Sequence, residues 1–162
     1  MDASAFIALV AACAPQVNGD TARALVAVES GFNPHAIGVV GGVLDRQPQT
    51  RPEALATARM LQATGCNFSA GLAQINLRNF ERLGLNVESV FDPCRNLNAM
   101  QTVLVDCIDR AQRRESASQR ALRQALSCYY SGNFATGFRH GYVRRVVVAA
   151  RAIPTAQPKE QI

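Results

Sequence analysis

One glutamate, Glu29, lies in a sequence setting that could give its carboxyl group acid chemistry. Residues 20–30 predict a largely apolar helix, one face of which carries Ala22, Leu25, Val26 and Glu29. Burial disfavours the ionised carboxylate, and so does the negative end of the helix dipole, so both effects raise the pKa. A glutamate that holds its proton near neutral pH can act as a general acid. The alternative is a structural glutamate bonded to an arginine or a backbone amide.

Three later segments carry residue types that suit a carbohydrate ligand. Residues 37–44 are rich in glycine, which permits a bulky ligand to approach the backbone closely. Residues 71–76, Gly-Leu-Ala-Gln-Ile-Asn, contain two side-chain amides that can donate to and accept from sugar hydroxyl and N-acetyl groups. Residues 128–133, Cys-Tyr-Tyr-Ser-Gly-Asn, offer tyrosine hydroxyls to the acid and tyrosine rings to a sugar face.

In this order, the segments resemble the signatures of the lytic transglycosylases with the goose-lysozyme-like fold. That family carries Glu-Ser, Gly-Leu-x-Gln and Ala-Tyr-Asn-x-Gly, and the matching positions here are residues 29–30, 71–74 and 128–132. The resemblance covers about residues 10–150. Within the family, the chain is most similar to the enzymes that open the cell wall for type IV secretion and conjugation systems.

The resemblance implies roles for the residues at the matching positions. Glu29 corresponds to the catalytic acid, Gln74 to the substrate-binding glutamine and Tyr129 to the tyrosine near the acid. Cys128 and Tyr130 stand where the family has alanine and asparagine, so the role of that asparagine is not assigned to Tyr130. Further candidates for substrate binding lie in or beside the motifs: Ser30, Asn76 and Asn133.

The reaction that the resemblance implies needs a single carboxyl group. It cleaves the β-1,4 bond between N-acetylmuramic acid and N-acetylglucosamine in peptidoglycan and leaves 1,6-anhydro ends. Glu29 would protonate the glycosidic oxygen, and the muramyl N-acetyl group would support the anomeric carbon. The ionised Glu29 would then accept the proton of the C6 hydroxyl as that oxygen closes the ring, because intramolecular attack has a large advantage over attack by water.

Three other functions are open at the level of sequence. A lysozyme-like hydrolase would need a second carboxyl group, for which Asp45 is the first candidate, although Asp45, Glu53, Glu81 and Glu88 are all typical of surface acids. A catalytically silent wall-binding or assembly module would keep the fold without the chemistry. A net charge of +5 and clustered arginines would suit a small DNA-binding protein, but no recognition-helix, zinc-finger or RNP pattern supports nucleic-acid binding.

The composition is that of one globular domain. The chain has 162 residues, of which 48% are hydrophobic and 18% charged, and this excludes an intrinsically disordered protein. No apolar run is long enough to predict a membrane span. There is no Cys-x-x-Cys pair, and His35 and His140 lack ligand spacing, so we expect neither a metal nor another cofactor. The expected partners are peptidoglycan glycan strands and components of a type IV secretion system.

Five widely spaced cysteines favour two disulfides and one free thiol in an oxidising compartment, which here would be the periplasm. Cys107 and Cys128 lie on consecutive predicted helices that can run antiparallel, and Cys13 and Cys94 each border a helix end near a proline. We therefore predict the pairs Cys13–Cys94 and Cys107–Cys128, with Cys66 free. Buried reduced cysteines are the alternative.

The hydrophobic pattern predicts an all-α, lysozyme-like domain with a small β flap over residues 1–153, followed by a flexible tail at 154–162. The apolar run 5–14 lacks a basic flank, so it predicts the first helix of the fold rather than an export signal. An export signal would have preceded this helix and been removed. Residues 37–44 predict a hairpin or an extended flap. Helices are predicted at residues 3–13, 20–30, 76–83, 95–114, 118–130 and 142–152 and between Pro52 and Gly65, with loops at 66–75 and 132–141.

Overall fold

The computed structural model describes residues 3–152, which form seven helices and one three-stranded sheet. The helices are α1 (Ala3–Cys13), α2 (Gly19–Glu29), α3 (Arg51–Ala63), α4 (Pro93–Gln112), α5 (Ser118–Ser131), α6 (Thr136–Arg139) and α7 (Tyr142–Arg151). The strands are β1 (Ile37–Val39), β2 (Phe68–Ala70) and β3 (Ile75–Asn76). The predicted fold class, mostly helical with a small β element, is confirmed. The predicted tail at 154–162 lies outside the described residues.

Side chains at the helix starts explain where the helices begin. Asn18, Thr50 and Asp92 each accept a hydrogen bond from a backbone N–H in the first turn of α2, α3 and α4. Pro52 and Pro93 lie in the first turns of α3 and α4, where a missing N–H costs no intrahelical bond. The predicted starts of these helices therefore agree closely with the structure.

The longest helix, α4, forms the centre of the core. Leu97, Met100 and Leu104 are buried on one of its faces, and Ala125 and Leu126 of α5 are buried as well. These three residues recur at spacings of three and four, which places them on one face of a helix. Helix α4 packs against α5, α1 and the sheet, and α2 packs against α7.

Two disulfides tie these helices together, in the pairs that the sequence analysis predicts. Cys13 at the end of α1 is bonded to Cys94 at the start of α4, with their Cα atoms 5.1 Å apart. Cys107 of α4 is bonded to Cys128 of α5, with a Cα separation of 5.8 Å. Cys66 is free and half-buried.

The sheet is antiparallel in the order β1–β2–β3. Of the two forms predicted for residues 37–44, the hairpin is wrong, because β1 pairs with β2 on the far side of α3 rather than with the residues that follow it. The predicted loop at 66–75 contains β2 and the start of β3. Strands of two or three residues are too short to show the alternation by which strands are predicted.

Two other segments differ from their predictions. The helix predicted at 76–83 is a pair of 3-10 turns, Leu77–Asn79 and Glu81–Leu83, which end at Gly84. The predicted loop at 132–141 contains α6, which is too short to give a periodic apolar pattern. None of the helices within residues 3–152 combines the length and apolarity needed to cross a membrane.

Candidate active site

A cleft of about 690 Å³ lies between the carboxyl end of α2, the sheet, and the segment from the end of α5 to α6. Glu29 lies on its wall. Amide side chains and aromatic rings form other parts of its lining. This mixture of polar and flat apolar groups is typical of a small-molecule or saccharide cleft. Its lining includes Gln74, Asn76, Tyr129, Tyr130 and His140.

Glu29 is the last residue of α2, and its carboxyl group is bonded to one tyrosine. Its Oε1 accepts a hydrogen bond from the Tyr142 hydroxyl over 2.5 Å. Burial raises the pKa of Glu29 from 4.5 to about 7, against the opposing effects of this hydrogen bond and of the positive charge of Arg145. A carboxyl group with this pKa exists near neutral pH as both acid and base, so it can give a proton and later take one.

The packing of α2 against α7 accounts for this placement. Leu25 and Val26 of α2 and Val143 and Val146 of α7 are buried, and Tyr142 is 2% exposed at the start of α7. Burial raises the pKa of the Tyr142 hydroxyl, which therefore stays protonated and acts as the donor to Glu29.

Tyr142 was not identified from the sequence as the partner of Glu29. The sequence predicts Tyr129 near the acid and does not decide which tyrosine hydroxyl forms a hydrogen bond with it. Tyr129 does line the cleft, but its hydroxyl donates to the carbonyl oxygen of Ala73 over 2.7 Å. The apolar spacing of Tyr142, Val143 and Val146 could have revealed a buried tyrosine, whose hydroxyl then needs a partner.

The turn at residues 71–74 is held in place by a buried asparagine of α4. The Oδ1 atom of Asn96 accepts from the backbone N–H of Ala73 over 2.8 Å. Its Nδ2 atom donates to the carbonyl oxygens of Ala70 and Val90 over 3.0 and 2.8 Å. Gly71 has a φ of 81°, and a Cβ there would lie 2.2 Å from Asn96 Nδ2, so only glycine fits.

Gln74 is oriented by the same turn. Its Nε2 atom donates to the carbonyl oxygens of Ala36 and Gly71, both over 3.0 Å. These two bonds use the amide donors, so the side chain offers its Oε1 as an acceptor in the cleft. Asn76 also lines the cleft, where its Nδ2 donates to Ser69 Oγ over 3.2 Å.

Two predicted binding residues do not line the cleft. The hydroxyl of Ser30 donates to the carbonyl oxygen of Val26 over 3.3 Å, which turns it back onto α2. The Oδ1 atom of Asn133 accepts from the backbone N–H groups of Ala135 and Thr136 over 3.0 and 2.9 Å, just before α6. Both side chains therefore make local backbone contacts, which short polar residues commonly do at helix ends.

Glu29 is the only carboxylate among the described residues that line the cleft. Glu53 is paired with Arg46 over 3.1 Å and Glu88 with Arg59 over 2.8 Å, both at the surface. Asp45 and Glu81 are exposed and do not line the cleft either. The described part of the cleft thus offers one carboxyl group and no partner acid.

The fold and this cleft agree with the sequence comparisons. The chain belongs to the family described as the transglycosylase SLT domain, whose model matches residues 6–146. It is 48% identical over 151 residues to the type IV secretion system protein virB1 of Brucella abortus biovar 1 (strain 9-941), covering 90% of this chain and 63% of the relative. It is 36% identical over 153 residues to the protein virB1 of Agrobacterium fabrum (strain C58 / ATCC 33970), covering 91% of this chain and 61% of the relative. The chain thus spans about three-fifths of the length of these curated relatives. No solved structure matches it significantly.

Proposed function

We propose that this protein is a peptidoglycan lytic transglycosylase that cleaves the β-1,4 bond between N-acetylmuramic acid and N-acetylglucosamine and leaves 1,6-anhydro ends. The observation that carries the proposal is Glu29, one partly buried carboxyl group with a pKa of about 7 and no second acid among the described residues of the cleft. Membership of the transglycosylase SLT family supports it.

One carboxyl group is enough for this reaction because it acts twice. Protonated Glu29 gives its proton to the glycosidic oxygen as the bond to the anomeric carbon breaks, while the N-acetyl oxygen of the muramyl sugar stabilises that carbon. The Glu29 carboxylate then takes the proton of the C6 hydroxyl as O6 bonds to the anomeric carbon. Glu29 ends protonated, and no water is consumed.

The amides and Tyr129 would orient the substrate. Gln74, through Oε1, and Asn76 would bind sugar hydroxyl or N-acetyl groups, and Tyr129, which lines the cleft, would contribute an apolar contact. Binding groups held by the fold lower the entropic cost of aligning the C6 hydroxyl with the anomeric carbon.

We further propose that the protein acts in the periplasm, where it opens the wall for the assembly of a type IV secretion or conjugation apparatus. The relatives named virB1 support the link to type IV secretion, because the Brucella protein carries type IV secretion in its name. The two disulfides support an oxidising compartment.

Mass spectrometry of the muropeptides released from purified peptidoglycan tests the proposal. We expect anhydro-muramyl ends from the parent protein and none from Glu29→Gln, while Glu81→Gln, which changes an exposed acid outside the cleft, should behave as the parent. Reducing muramyl ends would instead identify a hydrolase. Release of no product by the parent protein would contradict the enzymatic function and favour a wall-binding module.

A further inference from the structure

Tyr130 is an exposed aromatic residue on the cleft wall that the proposed chemistry does not use. It is 41% exposed, although large aromatic side chains usually bury more of their surface. Its ring stacks on Tyr142, with centroids 4.6 Å apart and an interplanar angle of 19°. Because Tyr142 covers one face, the opposite face of Tyr130 is the one available to a ligand in the cleft.

His140 holds the other end of the Tyr130 side chain. The Tyr130 hydroxyl and His140 Nδ1 are hydrogen-bonded over 3.2 Å, and the two rings meet edge to face with centroids 5.9 Å apart. When the hydroxyl donates to Nδ1, the neutral imidazole carries its proton on Nε2. His140 lines the cleft and is exposed, so in this tautomer the Nε2 N–H is available to a bound ligand.

The close packing of α6 on α5 keeps His140 in this position. The backbone N–H of Gly137 donates to Ser127 Oγ over 2.9 Å, and Ser127 is fully buried. A Cβ at Gly137 would lie 2.6 Å from the Cα of Ser127, so the two helices touch through their backbones. The pair of Tyr130 and His140 is therefore preorganised, which lowers the entropic cost of binding.

A flat ring beside a fixed polar donor matches the surface of a pyranose. The axial C–H groups of an equatorially substituted hexose form an apolar face, and its hydroxyl and N-acetyl groups lie around the edge. An aromatic ring covers the first and a donor binds the second. Tyr130 stacks on Tyr142, which donates to Glu29, and both Tyr130 and Glu29 line the cleft, so a sugar on Tyr130 would lie close to the sugar whose oxygen Glu29 protonates.

We propose that Tyr130 and His140 form a saccharide subsite, in which the free face of Tyr130 packs against one N-acetylhexosamine ring of the glycan and His140 donates to a polar group at its edge. The inference rests on the proposed function for the identity of the glycan. It assigns substrate binding to a position where the sequence departs from the family pattern.

The test measures binding rather than turnover, so its failure is distinct from failure of the proposed function. The probe is a β-1,4-linked tetramer of N-acetylglucosamine, titrated into the Glu29→Gln protein and followed by calorimetry and by NMR of the histidine side chains. We expect Tyr130→Ala to raise Kd about fivefold to tenfold, because aromatic anchors dominate binding sites. His140→Ala should raise Kd about threefold, the loss of one hydrogen bond.

Matched variants separate binding from folding. Tyr130→Phe keeps the ring and its stack on Tyr142, so its Kd should stay within about twofold of the Kd of the Glu29→Gln protein that carries no second substitution. Phe138 of α6 is also an exposed aromatic residue, but it does not line the cleft. Phe138→Ala should therefore leave Kd unchanged. Ligand addition should shift the His140 resonances and leave those of His35 in place.

Three results would overturn the subsite. They are no binding of the tetramer at millimolar concentration, equal affinity of Tyr130→Ala and Phe138→Ala, and a Tyr130→Phe loss as large as that of Tyr130→Ala. If any of these occurs while the parent still releases anhydro-muramyl ends, the proposed function stands and only the subsite is wrong.

Discussion

The protonation of Glu29 results from a balance between burial, which raises its pKa, and two neighbours that lower it. Tyr142 stabilises the carboxylate by a hydrogen bond and Arg145 does so by its charge. The balance leaves the pKa near 7, where one group can serve as acid and then as base. Either neighbour can be removed without touching the carboxyl group itself.

Tyr142→Phe should move the pH dependence of cleavage. The first step needs protonated Glu29, so activity should fall as pH rises through about 7 in the parent protein. Loss of the hydrogen bond removes an influence that lowers the pKa of Glu29, and the alkaline limb should move to higher pH. The check is the pH profile of kcat/KM on peptidoglycan. Arg144→Gln, a neighbouring arginine that is exposed and does not act on Glu29, is the control. An unchanged limb in Tyr142→Phe would contradict the assignment.

The same carboxyl group should make the stability of the fold depend on pH. The folded-state pKa of about 7 exceeds the value of 4.5 for the free group, so the folded state binds more protons between these values. The contribution of Glu29 to the free energy of unfolding should therefore be fully present below about pH 4.5 and should be lost as pH rises through about 7. Glu29→Gln removes this loss, and at pH 8 we expect it to be more stable than the parent by about 1–3 kcal/mol. Denaturant unfolding at pH 4.5 and pH 8 measures the difference. Glu81→Gln should show no such gain, and neither should Glu29→Gln at the lower pH.

At the level of elements, a helix positions the turn at residues 71–74 through a single side chain. Asn96 of α4 is fully buried and makes three hydrogen bonds to the backbone on either side of Gly71 and at Val90. The turn carries Gln74, whose backbone has a φ of 48°, an unusual value for a residue with a side chain. The hydrogen bonds of Asn96 thus stabilise a strained backbone at the wall of the cleft that Glu29 also lines.

Asn96→Ala should loosen this turn. It leaves the N–H of Ala73 and the carbonyl oxygens of Ala70 and Val90 without their partner, so we expect a loss of about 2–4 kcal/mol in the free energy of unfolding. Asn98→Ala is the matched control on the same helix, because Asn98 is exposed and makes one long contact of 3.5 Å to Cys13. Denaturant unfolding of both variants checks this. Equal losses would show that the turn does not depend on Asn96.

At the level of the whole molecule, the two disulfides constrain chain segments of very different length. Cys13–Cys94 spans 81 residues of sequence and Cys107–Cys128 spans 21. In the chain-entropy model, the stabilisation grows with the logarithm of the closed loop and amounts to about 4.5 and about 3.4 kcal/mol. The longer loop also joins α1 to the core helix α4.

Removal of the first disulfide should therefore cost more than removal of the second. We expect the double variant Cys13→Ser/Cys94→Ser to be less stable than Cys107→Ser/Cys128→Ser by about 1 kcal/mol. Thermal unfolding without reductant measures both, and Cys66→Ser, which changes the free thiol, should unfold as the parent. The reverse order would mean that packing around Cys107 and Cys128, both buried, outweighs loop closure.

The amino-acid sequence determined those features that depend on neighbours along the chain. Apolar spacing, with Pro52 and Gly65 as the bounds of α3, predicted the long helices, and Glu29 was singled out as a candidate acid because burial and the end of α2 are both local properties. The cysteine pairs could be predicted because helix ends and helix faces follow from the same periodicity. Local pattern also explains the errors, since strands of two or three residues and a helix of four carry too few side chains to be periodic.

Only the tertiary structure decided which side chains meet across long sequence distances. The bond from Tyr142 to Glu29 joins residues 113 positions apart, and the bond from Tyr129 to Ala73 joins residues 56 apart. Ser30 and Asn133 are predicted at the site because their motifs lie there, but in the structure their side chains form hydrogen bonds with nearby backbone groups. The stack of Tyr130 on Tyr142 likewise depends on how α5 and α7 pack. A buried polar group must find a partner, and which partner is in reach is a property of the packed helices rather than of any one segment.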